Sequence, residues 1–387
     1  MKVDDRQMNQ TNKKKRIPVP QIIAFLIFLF ISIAGGYAIG RSLDGLSARL
    51  MGLPYPLVLV TLLIFLFAAL SAQLILHEAG HLVCGLISGY RFSSFRVGSL
   101  MLFKEGKHLR LKTLSIAGTG GQCLMIPPQC NGESIPFTLY LLGGVLMNFF
   151  SSILFALLYL AIPSSSVFSL LLDALALAGL GVGLMNAIPL HLAMLDNDGY
   201  TARLLKKDPQ AVLAFYQMMQ IHSQIAAGLR LRDMPEEWFI TPPEGNTENT
   251  LVATIEVYRC NRLLDEGQMD QAADSIRALL ASGTAIAGIH RNLLICDLAY
   301  CALIADKPDE ATQLLDEQQL KFMKSMKSFP SVLRTQYAVA ILRDHNASGA
   351  AMLQTKFDRV SERYPYASDI ASERELMYAV RKKGSAI

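Results

Sequence analysis

PLVLVTLLIFLFAALSAQLILHEAGHLVCGLI, residues 56–87, decides how the rest of the chain is read. Residues 56–76 carry no charge, a length that crosses a bilayer as one helix. The run then ends in His77-Glu78-Ala79-Gly80-His81. Two histidines four apart lie about 40° from each other around a helix, so both imidazoles reach one metal ion. This spacing suits zinc, and Glu78, next to the first ligand, is placed to take a proton from water on the metal. Seven histidines in 387 residues make a chance pair around a glutamate rare. Two surface histidines at a helix end are the competing reading, which the preceding apolar run disfavours.

Composition divides the chain. Half of it is hydrophobic (52%), and the mean hydropathy is +0.32. The long apolar runs fall within 17–200, whereas 201–387 is rich in Asp, Glu, Lys and Arg. A membrane half is therefore followed by a soluble half. A net charge of +4 gives no argument for nucleic acid as a partner. The six cysteines show no CxxC spacing, so neither a disulfide framework nor a cysteine metal site is expected, and the soluble half belongs in a reducing compartment.

Four spans fit the hydropathy, at 20–40, 56–87, 136–162 and 165–190. The tail 1–19 is expected to be a disordered basic segment, with six Lys or Arg before residue 17. Loop 91–134 also has six, loop 41–55 has two, and the turn 163–166 has none. Positive residues stay on the cytoplasmic side, so both termini and loop 91–134 are expected there, in a multi-pass protein of the cell membrane. Within that loop, FRVGSLMLF and HLRLKTLSI alternate apolar and polar residues around Lys104-Glu105-Gly106-Lys107, a hairpin signal. GTGGQCLMIPP, which follows, reads as too rich in Gly and Pro for a regular element.

The third span contains Gly143-Gly144-Val145-Leu146-Met147-Asn148. Its small residues allow close helix approach in lipid, and Asn148, an amide among apolar residues, needs a partner. The fourth ends in Asn186-Ala187-Ile188-Pro189, and Pro189 stops the helix. Asp196 and Asp198 then arrive at the depth of His77 and His81, where either carboxylate can complete a site of two histidines and one acid with an open fourth position.

At these residues the chain resembles the site-2 protease family of intramembrane zinc metalloproteases. HEAGH (77–81) is similar to that family's helix motif, GVLMN (144–148) to its small-residue-to-Asn motif, and NAIP with DGY (186–189, 198–200) to its distal Asn, Pro and Asp-Gly motif. The resemblance covers 56–200. It implies His77, His81 and Asp198 as zinc ligands, Glu78 as the base, and Asn148 and Asn186 near the substrate backbone or the metal's water. The gap from Pro189 to Asp198 is longer than the common family spacing, which keeps Asp196 in view.

Residues 201–387 lie outside the resemblance. They read as a helical linker (201–249) and a helical repeat-like domain (250–387). Asp270-Gln271-Ala272, Asp309-Glu310-Ala311 and Ser348-Gly349-Ala350 recur every 39 residues, each after a helical stretch and a turn. The expected fold is therefore mainly α. It is a polytopic membrane bundle of about four transmembrane helices (20–200) with a short cytoplasmic β-hairpin insert at 91–134, followed by a soluble all-α domain with tetratricopeptide-like repeats. The expected function is a zinc metalloendopeptidase working in the lipid bilayer on a transmembrane protein or membrane-associated peptide, with a cytosolic protein partner for 250–387. An idle scaffold that binds its partner through the repeats, and a metal transporter, are the competing classes. A scaffold has no use for a general base, and the spans lack the second polar cluster that a transport pathway needs.

Overall fold

The computed structural model describes residues 55–129, 135–162, 167–192, 194–241 and 249–385, with isolated positions at 22, 26 and 29. The expected span over 20–40 lies outside the described residues except for those three positions, which are helical. The chain is mainly helical with one small antiparallel sheet.

Among the described residues, three helices are long and apolar enough to cross a membrane. They are α1 (Tyr55–Ile87), α2 (Phe137–Ala161) and α3 (Val167–Ala187). They pack on one another, and their outer sides carry exposed apolar residues such as Leu63, Phe67, Phe150 and Leu160. The α1–α2 contact is backbone on backbone. A Cβ at Gly80 would overlap the carbonyl of Gly143, and one at Gly143 would overlap the carbonyl of Gly80. Small residues on both sides let the helices meet this closely.

The insert is larger than the expected hairpin, which the structure corrects to a four-stranded sheet. Strands β1 (Arg91–Val97), β2 (Leu100–Glu105), β3 (His108–Thr113) and β4 (Gly121–Ile126) are arranged in the order β3-β2-β1-β4. Gly98, at φ +59°, turns the chain inside what reads as one continuous arm, so FRV and LMLF become paired strands. GTGGQCLMIPP holds a regular strand after all, because Cys123 and Met125 are buried while β1 supplies its ladder. One face of β2, with Met101 and Phe103, packs into the apolar core of the C-terminal helices. On the opposite face Leu100, Leu102, Leu109 and Leu111 are exposed.

Helices α4 (Asp198–Lys207) and α5 (Pro209–Ala226) follow, then two 3-10 turns (Leu231–Asp233, Glu236–Phe239). The stretch expected as a linker is thus helical, and it shares a core with β4, α2 and the next helix. The C-terminal helices are α6 (Thr250–Asp265), α7 (Met269–Ala281), α8 (Gly288–Ile304), α9 (Pro308–Leu314), α10 (Glu317–Ser325), α11 (Pro330–Ala338), α12 (Ala347–Arg363) and α13 (Ala367–Gly384). The 39-residue spacing read from the sequence has a backbone counterpart. Gly267, Asp306 and His345 all adopt positive φ (78°, 59° and 48°) two residues before α7, α9 and α12 begin. Ala272, Ala311 and Ala350 are each buried against the preceding helix. Backbone bonds from Gln268 N–H to Leu263 O and from Lys307 N–H to Ala302 O close the first two turns in the Schellman manner. In the third, Asn346 N–H reaches Ala340 O across one more residue, because Val339–Arg343 is a π-helical turn.

Only the first of these three equivalent positions is glycine, which adopts positive φ without strain. His345→Gly is expected to stabilise the chain by about 1 kcal/mol, and Gly267→Ala to destabilise it by a similar amount. Asp306→Gly should gain less, since Asp306 also accepts from Lys383 Nζ at 2.6 Å. Thermal melting of the three variants in detergent checks this ranking, and shifts of the same sign for His345→Gly and Gly267→Ala would refute the equivalence of these turns.

Candidate metal centre

His77 and His81 lie one turn apart on the buried side of α1, and α4 brings Asp198 to them. His77 Nε2 is 3.0 Å from Asp198 Oδ2, His81 Nε2 is 3.3 Å from the same oxygen, and the two Nε2 atoms are 3.2 Å apart.

Hydrogen bonding behind the rings fixes what these atoms offer. His81 Nδ1 lies 2.9 Å from the carbonyl of Tyr140, which only accepts, so Nδ1 carries the proton. His77 Nδ1 lies 2.6 Å from Asn148 Oδ1. That amide's orientation is set because Asn148 Nδ2 donates to Gln73 O and to Gln73 Oε1, both at 2.9 Å. Gln73 is fixed in turn: its Nε2 donates to Leu175 O at 2.8 Å, and its Oε1 also accepts from Ser151 Oγ. In the neutral imidazoles both Nε2 atoms therefore present lone pairs, aimed with a carboxylate oxygen at one point. A single proton relieves one of these three contacts, whereas a divalent cation relieves all of them. Tetrahedral zinc with bonds of about 2.0–2.1 Å holds neighbouring ligand atoms roughly 3.3 Å apart, so the donor set and spacing suit zinc.

Two close approaches shape the site. The His77 ring occupies the space a Cβ at Gly144 would fill, and the Glu78 carboxylate lies where a Cβ at Gly121 would be. Glu78 is buried and within electrostatic reach of His77, His81 and Asp198.

Asp198 owes its position to its neighbour. Asn197 caps α4, accepting from Tyr200 N–H at 2.9 Å, and its Oδ1 also accepts from Leu190 N–H at 3.0 Å. Its Nδ2 donates to Met185 O (2.6 Å) and Ile188 O (2.7 Å), tying the cap to the end of α3. Asp196 points elsewhere: its carboxylate bonds His191 Nδ1 at 2.6 Å and accepts from Thr250 Oγ1 at 2.7 Å.

The structure thus gathers His77, His81, Asp198, Glu78 and Asn148. Asn148 braces His77, and Asn186 stands apart, its amide donating to Val182 O in its own helix. The sequence reading passed over Gln73 and Asn197. Both left a signal: Gln73 is an amide in an apolar span, four residues before His77, and Asn197 precedes a helix in the N-cap position.

Asn148→Ala should lower zinc affinity about 10–100-fold, the usual cost of losing a residue that orients a ligand. Asp198→Asn should lower it as well, whereas Asp196→Asn should leave it unchanged. Competition with a chromophoric chelator measures all three.

No protein-family model matches the chain, and neither the curated proteins nor the solved structures contain a match.

Proposed function

We propose that this chain is an intramembrane zinc endopeptidase that hydrolyses a peptide bond in or near a transmembrane segment of a membrane-bound regulator or peptide precursor. The observation that carries this reading is the convergence of His77 Nε2, His81 Nε2 and Asp198 Oδ2 beside the buried Glu78. Ionisable residues in so apolar a helix are costly, and their cost is ordinarily offset by function.

His77, His81 and Asp198 would hold the metal and leave a fourth position open. Bound there, zinc supplies a Lewis acid that polarises the scissile carbonyl and acidifies water. Glu78 takes the proton of the attacking water and delivers it to the leaving amine. Asn148 and the Tyr140 carbonyl keep both imidazoles in the tautomer that presents Nε2.

The reading places α1, α2, α3 and the span expected over 20–40 in the bilayer as a polytopic bundle. His77 follows Tyr55 by about 33 Å of helix, which puts the metal centre near the far membrane face. By the distribution of Lys and Arg that face is cytoplasmic, as are both termini, the sheet and the helical array. The hairpins α6/α7, α8/α9 and α11/α12 form a tetratricopeptide-like array suited to selecting a substrate or cytosolic partner.

Glu78→Gln is expected to retain zinc and to lose cleavage of a membrane substrate by about 10²–10⁴-fold. Chelation should abolish cleavage by the native chain, and added zinc should restore it. Zinc content and cleavage measured together on detergent-purified protein test this, and undiminished cleavage by the Gln variant would overturn the mechanism.

A further inference from the structure

LMLFKEGKHLRLKT, residues 100–113, forms the hairpin of β2 and β3. Period-two alternation sends Met101 and Phe103 into the core of the C-terminal helices. It sends Leu100, Leu102, Leu109 and Leu111 to the other face, where all four are exposed. β3 is also the outermost strand of the sheet. An apolar patch on an edge of this kind marks a contact surface.

Cross-strand pairing ties this patch to the apolar helices. Gly121 pairs with Val97 and Val97 with Leu100, while Cys123 pairs with Phe95, Phe95 with Leu102 and Leu102 with Leu111. Paired residues share a face of the sheet, so the leucines extend the face that β4 presses on α1. There Gly121 meets Glu78, and Met125 meets Gly85 about two turns further along the helix. At about 4.8 Å per strand, β2 and β3 lie about 10 and 14 Å from β4. Beside those turns α1 exposes Val83, Leu86 and Ile87. The bare leucines thus stand next to the apolar end of a helix long enough to cross a membrane, while the reverse face of β2 is covered by the helical array.

Charge selects among the possible occupants. Residues 100–113 hold four Lys or Arg and one Glu, and that Glu105 pairs with Arg110 at 2.7 Å. Lys104, Lys107 and Lys112 are left without an acid from the hairpin itself. Lys104 shares the face of the leucines, Lys107 sits in the turn, and both are exposed. The row of Leu100 is that of Gly121 beside Glu78, and the basic tip lies on the side of Met125, toward the end of α1. Apolar side chains therefore give way to lysines in the direction in which α1 ends. A bilayer presents acyl chains and then phosphates in that order. A second copy of the chain would bring like charge to the same face, which disfavours it.

We propose that the outer face of the β2–β3 hairpin binds the anionic phospholipid surface of the bilayer. Leu100, Leu102, Leu109 and Leu111 rest among acyl chains, and Lys104 and Lys107 hold headgroup phosphates. The inference rests on the placement of α1, α2 and α3 in a bilayer. Each lysine close to an anionic surface favours binding roughly fivefold. Covered in this way, the outermost strand is also kept from pairing with other chains.

The test uses the full chain in liposomes, carrying Leu111→Trp or, separately, Phe67→Trp on the outer side of α1. Leu111 and Phe67 are 69% and 75% exposed, so tryptophan at either leaves the core intact. Each variant is read against the unsubstituted chain, whose single tryptophan is Trp238. Phosphatidylcholine brominated on its acyl chains should quench the added emission of both variants. Brominated phosphatidylserine, diluted into unlabelled phosphatidylcholine, should quench Leu111→Trp with at least about fivefold higher apparent affinity than brominated phosphatidylcholine. The further changes Lys104→Gln and Lys107→Gln should remove that preference and leave quenching of Phe67→Trp unchanged. Quenching of Phe67→Trp without quenching of Leu111→Trp would overturn the proposal and leave the bilayer placement standing, assigning the face to a protein partner instead. Quenching of neither would overturn both. Equal quenching of Leu111→Trp by the two lipids, or a preference that survives the loss of both lysines, would also overturn the proposal.

Discussion

The reciprocal contact of Gly80 and Gly143 is the constraint on which the candidate metal centre rests. With the two backbones touching, Gly144 faces the His77 ring directly and Asn148, one turn on, reaches His77 Nδ1. The same approach brings the Tyr140 carbonyl to His81 Nδ1. Both imidazoles of α1 are thus oriented by α2, and a wider helix separation would leave neither ring with its partner. Gln73 extends this bracing to α3 through Leu175 O, so three apolar helices are joined by a short polar chain buried at their centre. In an apolar surround such a chain is stable because every member is satisfied.

How much of this is legible in the sequence varies with the range of the interaction. The His77–His81 pair is local, fixed by helical pitch, and so reads directly. Asn148 announces its need for a partner, but the partner is a ring on another helix and cannot be read from α2 alone. Of Asp196 and Asp198, only Asp198 lies beside the histidine pair: Thr250 and His191 bond Asp196, while Asn197 caps α4 next to Asp198. The 39-residue spacing is visible in small residues because Ala272, Ala311 and Ala350 must fit beneath a neighbouring helix. The sheet is where local reading fails. β4 begins at two glycines and ends at two prolines, and its ladder with β1 is made by residues about thirty positions earlier.

That strand is also the wall between the candidate metal centre and a cavity of about 310 Å³ among the sheet, α5 and the C-terminal helices. Gly121 lies against Glu78, the carbonyl of Cys123 accepts from Tyr140 Oη at 2.8 Å, and Met125 packs where Gly85 leaves room. The alternate residues, Gln122 and Leu124, line the cavity on the other side. Period-two alternation therefore assigns one strand to both chambers. Arg96 secures its start, donating to Gly98 O at 2.8 Å and Gly121 O at 3.2 Å and to the Thr119 hydroxyl.

The packing of the sheet on the helical array bears on how the chain is made. Met101 and Phe103 belong to a core whose other buried members, Leu114 apart, come from residues 257–380, and Phe103 meets Tyr366 ring to ring at 5.8 Å. About 260 residues separate these two rings, and a ribosome adding roughly 5–20 residues per second needs some tens of seconds to span them. Through that interval the inner face of β2 lacks the helices that cover it in the folded chain. The cover of one strand of the sheet thus depends on the segments made last among the described residues, down to Tyr366 and α13.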